Sequence, residues 1–195
     1  MRRTLITVSV LLCALGILSW RRAAANTQGA KDTPTPQANV AIPPLQPRPQ
    51  DVSSIDGMIK ANYEVVSGPA EKAREWGRDA TLYVPGIRFN IFSEDKQGKT
   101  TVRSLSHQDF VNESESAMKG KAFYEHEIHR IAHRAGNVAH ILSTAEQRLA
   151  PDGPVQGHSV DSLELYWDGA RWWIVNANIW EVEKSGKPLP AEFLP

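Results

Sequence analysis

Cysteine is almost absent from this chain: Cys13 is the only one in 195 residues, and it lies inside an N-terminal apolar run. If that run is removed on export, no disulfide framework, thiol nucleophile or thiolate-held metal remains. Net charge is also missing, with 22 Lys and Arg against 22 Asp and Glu. Four of the basic residues, all arginines, fall within residues 1–25, which hold no acid, so the remainder carries 18 bases against 22 acids. A mildly acidic domain is a poor partner for a phosphate backbone or an anionic membrane surface. No Gly-x-Ser-x-Gly elbow and no phosphate-cradling glycine loop occurs, which removes the usual serine-hydrolase and nucleotide-binding signatures. What remains is an ordinary globular composition, 41% hydrophobic and 23% charged, enough to bury one core.

The N-terminus has the layout of an export signal. Arg2 and Arg3 precede an apolar run from Leu5 to Trp20, and Ala23, Ala24 and Ala25 offer small residues for cleavage. Residues 1–25 are therefore read as a signal peptide and the protein as exported, periplasmic or secreted. Arg21 and Arg22 leave an uncleaved, membrane-tethering anchor as the alternative, although the run is short for a full span. No membrane insertion of the folded part is expected. Residues 26–50 hold Pro34, Pro36, Pro43, Pro44, Pro47 and Pro49 and read as an extended linker. The folded domain is expected over residues 51–183, with a C-terminal tail at 184–195.

Within the domain, Ser53 with Asp56 resembles a capping box, and Ile55, Ile59, Asn62, Tyr63 and Val66 follow at helical spacing until Gly68-Pro69 stops them. A second short helix is expected over roughly 70–79, with Ala73 and Trp76 on one side. Leu82 to Val84, a Pro85-Gly86 turn and the alternation Ile87, Phe89, Ile91 predict extended structure. A third helix starts at the Ser106–Asp109 cap and carries Phe110, Val111, Ser114 and Met118. After Gly120 the period changes to that of strands, at 122–133, 138–149, 158–167 and 171–181. Helices followed by an antiparallel meander predict an α+β fold with the helices on one face of the sheet.

Several segments resemble a known family. These are the entry Asp51-Val-Ser-Ser-Ile-Asp into a helix bearing Tyr63, the stretch Glu127-Ile-His129, the segment Gly136-Asn-Val-Ala-His140, and Asp168-Gly-Ala-Arg-Trp-Trp-Ile-Val-Asn176. Together, over about residues 51–183, they resemble bacterial SnoaL-like, DUF4440-type members of the NTF2-like superfamily. The resemblance implies a cone of three N-terminal helices packed on a strongly curved, mainly antiparallel sheet, with a pocket at its open end. It also implies association through the sheet, hence a homodimer. The superfamily spans isomerases, dehydratases, cyclases, hydrolases and non-catalytic modules, so the fold alone assigns no reaction.

Which side chains face the pocket depends on strand register. A three-residue loop at Arg134-Ala135-Gly136 pairs His133 with Asn137. It places Glu125, Glu127, His129 and Ile131 on the face of Ala139, Ile141, Ser143 and Ala145. A two- or four-residue loop shifts the register by one and turns the glutamates toward His140. Asp168-Gly169 read as a two-residue turn pairs Trp167 with Ala170. One face then carries Asp161, Leu163, Leu165, Trp172, Ile174, Asn176, Asn178 and Trp180. The other carries Tyr166, Trp173, Val175 and Ile179, an apolar outer face suited to association. The proline-rich segment or the tail from Pro188 to Pro195 is the alternative cover.

The candidate catalytic residues are His129 and Glu127, two apart on a strand, where a carboxylate raises the basicity of the imidazole. Asp161 is a second candidate base. Tyr63 is a hydrogen-bond donor toward an oxyanion, an arrangement similar in kind to the apolar pocket of ketosteroid isomerases. Tyr63, Trp76, Tyr83, Trp172, Asn176, Asn178 and Trp180 are expected to line the pocket. No metal or cofactor is expected: the order His126-Glu-Ile-His129 is not the zincin spacing, and His129 and His133 lie about 13 Å apart on a strand. Two functions remain open. One is a module that binds a small hydrophobic or carbonyl-bearing ligand or serves association. The other is a cofactor-independent acid–base isomerase, dehydratase or hydrolase.

Overall fold

The computed structural model describes residues 38–95, 97–182 and 187–195. The expected signal peptide, the first part of the linker and the start of the tail lie outside the described residues. The elements in chain order are α1 (Pro49–Val52), α2 (Ile55–Glu64), α3 (Trp76–Asp79), β1 (Arg88–Glu94), β2 (Thr100–Ser106), α4 (His107–Met118), β3 (Tyr124–Ala135), β4 (Val138–Arg148), β5 (Val155–Trp167) and β6 (Trp172–Glu181). A 3-10 turn, Ala191–Phe193, follows. The six strands form one curved sheet in the order β2-β1-β6-β5-β4-β3, antiparallel except where β1 runs parallel to β6.

Helix α2 starts where Ser54, not Ser53, accepts a hydrogen bond from the Gly57 amide. It buries Met58, Ile59, Ala61 and Tyr63 against the sheet residues Phe89, Ile141, Leu163, Leu165 and Ile174. Helix α4 starts in the Ser106–Asp109 capping box. The helix expected over 70–79 shrinks to the single turn α3, because Trp76 alone brings a large apolar side chain to that stretch. A smaller core joins it to Val65, Val66 and Val111. Val40 and Ile42 pack on this smaller core. The Val40 amide donates to Asn112 Oδ1 (2.9 Å), and Gln108 Nε2 donates to the Val40 carbonyl (3.0 Å). The later part of the proline-rich stretch is thus built into the domain, since two apolar residues and a free backbone pair suffice to dock it along α4.

Gly57 marks the tightest helix contact. A Cβ there would lie 2.1 Å from the carbonyl oxygen of Gln50 in α1. Alanine's gain in helix propensity, about 1 kcal/mol, is outweighed by this backbone clash, so Gly57→Ala should destabilise the domain by about 2 kcal/mol. Urea unfolding checks it, and an unchanged midpoint would contradict the contact.

Both expected hairpins are corrected. The β3–β4 loop is two residues, Gly136-Asn137, with Ala135 opposite Val138 and Gly136 at φ 61. Glycine and asparagine tolerate the positive φ that such a turn needs. That register alone would turn Glu127 outward, but a bulge at Ile128 inserts one residue and turns Glu125 and Glu127 back inside, opposite Gln147 and Ala145. His129, beyond the bulge, pairs with Thr144 on the outer face. The β5–β6 loop is four residues, with Trp167 opposite Trp172, because the Asp168 carboxylate caps it. Asp168 Oδ1 accepts from the amides of Ala170 (2.8 Å) and Arg171 (2.9 Å), and Oδ2 accepts from Trp173 Nε1 (2.6 Å). The pairing slides by two, which preserves the faces as far as Ile174. A bulge at Val175 then exchanges them, so Ala177 and Ile179 face inward, while Asn176, Asn178 and Trp180 lie outside. On that outer face Thr144 and Val160 are buried, and the Ala191–Phe193 turn packs beside β3.

Candidate functional site

Between α2, α4, Tyr83 and the inner face of the sheet lies a cavity of about 280 Å³, at the lower end of the range of small-molecule pockets. Its wall is mainly apolar, with Val66, Phe89, Ile91, Phe110, Phe123, Leu163 and Ile179, and Phe89 stacks on Phe110 at 4.2 Å. Four acidic residues line it as well, Asp79, Glu125, Asp161 and Glu181.

Asp161 is presented by the inward alternation of β5, opposite Ser143 of β4 and Ile179 of β6. It is 6% exposed. Its Oδ2 lies 3.1 Å from the hydroxyl of Tyr63, which α2 lowers onto the sheet, and that hydroxyl lies 2.9 Å from Ser143 Oγ. Oδ1 is buried and has no hydrogen-bond partner. Burial first, then the charge of Glu125, pushes the Asp161 carboxyl up to about 8. Glu125 accepts from Gln147 Nε2 (2.9 Å) and lies 3.5 Å from Ser159 Oγ, and burial raises its carboxyl to about 7. Two adjacent acids in an apolar wall are thus both shifted toward their neutral forms, Asp161 the further.

A second acidic group stands on the helical side. Asp79, at the end of α3, is 1% exposed, and its Oδ2 lies 2.6 Å from Nε2 of His107, the first residue of α4. Burial raises the Asp79 carboxyl, and the His107 contact opposes this. Tyr83 beside it donates to Asn62 Oδ1 (2.7 Å).

The expected site residues are divided by this geometry. Asp161 and Tyr83 line the cavity, whereas Tyr63 does not line it and reaches Asp161 from the core through its hydroxyl. Glu127 faces the same side but is held by Arg130, whose Nε and Nη2 donate at 2.8 and 2.6 Å, and it accepts from Ser143 Oγ at 2.6 Å. His129 is across the sheet from Glu127, so the two form no dyad. Trp76 fills the smaller core and donates to Glu115 Oε2 (2.8 Å). Trp172 is buried in the main core, with Trp167 at 5.8 Å and the Arg134 guanidinium 5.0 Å over its ring. Neither tryptophan lines the cavity. Asn178 accepts from Asn90 Nδ2 (2.9 Å) on the outer face, with Asn176 and Trp180 on the same face. Sequence reasoning did not single out Glu125, Asp79 or His107 as site residues. Glu125 shared the inward face with Glu127, whereas nothing in the spacing of Asp79 and His107 announces their meeting. Among the described residues, no three His, Cys, Asp or Glu side chains are grouped to hold a metal ion.

The domain is thus defined as an α+β fold with an acid-lined apolar cavity between its helices and the concave side of a mixed six-stranded sheet. No known family model matches the chain, and no curated protein matches it. It is similar to solved structures. One is an NTF2-like protein with a cystatin-like fold from Novosphingobium aromaticivorans (10% identity, TM-score 0.41, covering 54% of this chain and 68% of that one). Another is a protein of unknown function with a cystatin-like fold from Nostoc punctiforme (9%, 0.42, 53% and 74%). A third is a candidate ketosteroid isomerase from Parabacteroides distasonis (9%, 0.42, 66% and 87%). Likeness at this level leaves function to the cavity itself.

Proposed function

We propose that this is an exported NTF2-like domain whose cavity binds a small, mainly apolar molecule and moves a proton on it without a cofactor. The observation behind this reading is the Asp161 carboxyl, buried in an apolar wall, in contact with Tyr63 and carrying an unpartnered oxygen. A carboxyl held near 8 is matched to proton transfer at physiological pH. Binding alone is the second reading. It is favoured by the engagement of Glu127 with Arg130, which leaves that carboxylate no proton to offer.

Proton exchange into 2-hydroxy-1-tetralone, an apolar bicyclic ketone whose acidic α carbon also carries a hydroxyl donor, tests the two. The full-length protein in D2O should accelerate deuterium uptake, followed by NMR, and Asp161→Asn should lower the rate about 100-fold. Uptake at the buffer rate by the unaltered protein would remove the catalytic reading and leave binding.

A further inference from the structure

The hydrogen bonds that end at Asp161 have a determined sense. Arg130 grips both oxygens of Glu127 and also reaches Asp56, so Glu127 is an ionised acceptor. Ser143 Oγ, 2.6 Å from Glu127 Oε1, therefore spends its single hydrogen on that carboxylate. Ser143 can then only accept from Tyr63, 2.9 Å away, and this uses the single hydrogen of the tyrosine. The remaining contact, 3.1 Å between the Tyr63 hydroxyl oxygen and Asp161 Oδ2, has no hydrogen left unless Asp161 supplies it. An ionised Asp161 would set lone pairs against each other in a buried site, which costs more than the bond it replaces. The groups that face Asp161 divide: Glu125 and Glu127 on β3 favour its neutral form, whereas Ser159 on its own strand and the contact with Tyr63 on α2 oppose it. The Tyr63 opposition is weakened because the tyrosine hydrogen is directed to Ser143. The hydrogen of Asp161 is on Oδ2, and Oδ1 is a bare, carbonyl-type acceptor with no partner.

We propose that the chain Asp161–Tyr63–Ser143–Glu127 presents Asp161 to the cavity as an acceptor, so that the ligand is a small apolar molecule carrying a hydroxyl or N–H group that donates to Oδ1. This rests on the cavity being a ligand site, as argued above. A ligand whose only polar group is a carbonyl brings an acceptor to an acceptor and leaves both unsatisfied. A site built for a donor rejects such analogues strongly. Glu127 and Ser143 are positioning residues: they touch no ligand and act by orienting one hydrogen after another.

Two measurements on the full-length protein test this. The first titrates 2-naphthol, 2-methoxynaphthalene and 2-acetonaphthone at pH 6.5, where the naphthol is un-ionised. 2-Naphthol should bind at least about 10-fold more tightly than either of the others. Equal or tighter binding of the ether or the ketone overturns the ligand class. Binding of none of the three overturns the cavity reading and the ligand class together. The second measurement needs no ligand. It follows the Asp161 titration by carboxyl infrared bands in the unaltered protein and in Ser143→Ala. Without the Ser143 acceptor, the Tyr63 hydrogen turns to the Asp161 carboxylate, and the midpoint should fall by about one pH unit or more. Loss of a hydroxyl that merely packs would leave the midpoint in place or raise it, and that result overturns the hydrogen order.

Discussion

The melting temperature should fall steadily as the pH rises from 5 to 8.5, and Asp161→Asn should remove most of the fall. Asp161 and Glu125 are held near 8 and 7 in the folded protein, above the ordinary carboxyl values of the unfolded chain. Between those limits the unfolded state binds fewer protons than the folded one, so stability declines with rising pH. The contribution is complete below about pH 4 and is lost as the pH passes through 7 and 8. For Asp161 alone the loss is of the order of 4 kcal/mol, or roughly 10 °C in melting temperature for a domain of this size. Asparagine keeps the shape of the neutral acid and cannot ionise, so at pH 8.5 the variant should be the more stable protein. Calorimetry at half-unit pH steps reads both curves. A flat profile in the unaltered protein would mean that Asp161 is already ionised at neutral pH. A stability gain from losing one buried acid is the usual mark of a group retained for function.

The parts of the fold that local chemistry dictates were legible. The Ser106–Asp109 box starts α4 where the caps predict, the period-2 stretches after Gly120 become four long strands, and the apolar spacing of Ile59 and Tyr63 buries α2. Strand faces were less legible, because alternation assigns faces only relative to a register, and each bulge inverts every residue beyond it. The bulge at Ile128 leaves one trace. Glu127 and Arg130 are three apart and would face opposite sides of a regular strand, yet they form a forked ion pair. An ion pair at that odd spacing on one face follows from the inserted residue. Val175 has no comparable marker except that Ala177 suits a crowded interior better than Asn176 does. The same two bulges decide the site: they place Glu125 and Ile179 at the cavity, send Trp180 to the other face, and separate Glu127 from His129, which the two-residue turn already sets outside. The Asp79–His107 contact joins elements 28 residues apart and was beyond any local pattern.

Arg78 carries the largest single structural effect expected outside the cavity. It is 8% exposed, and it donates to Asp51 through Nε (2.7 Å) and Nη2 (2.8 Å), to Glu64 (2.8 Å) and to Glu75 (2.9 Å). These bonds tie α1, α2 and α3 together one residue before Asp79, so they also fix one wall of the cavity. Asp51 is only 3% exposed and has no way to recover solvent if its partner is removed. Arg78→Met should therefore cost about 3–5 kcal/mol, most of it the penalty of a buried, unpaired carboxylate. The double variant Arg78→Met, Asp51→Leu should recover the greater part, since an apolar pair of similar volume replaces a buried ion pair at little net cost. Urea unfolding of the four corners of this cycle measures the coupling. A double variant as unstable as the single one would show that Arg78 acts through Glu64 and Glu75, as a brace between helices, and not as the counter-ion that makes Asp51 tolerable.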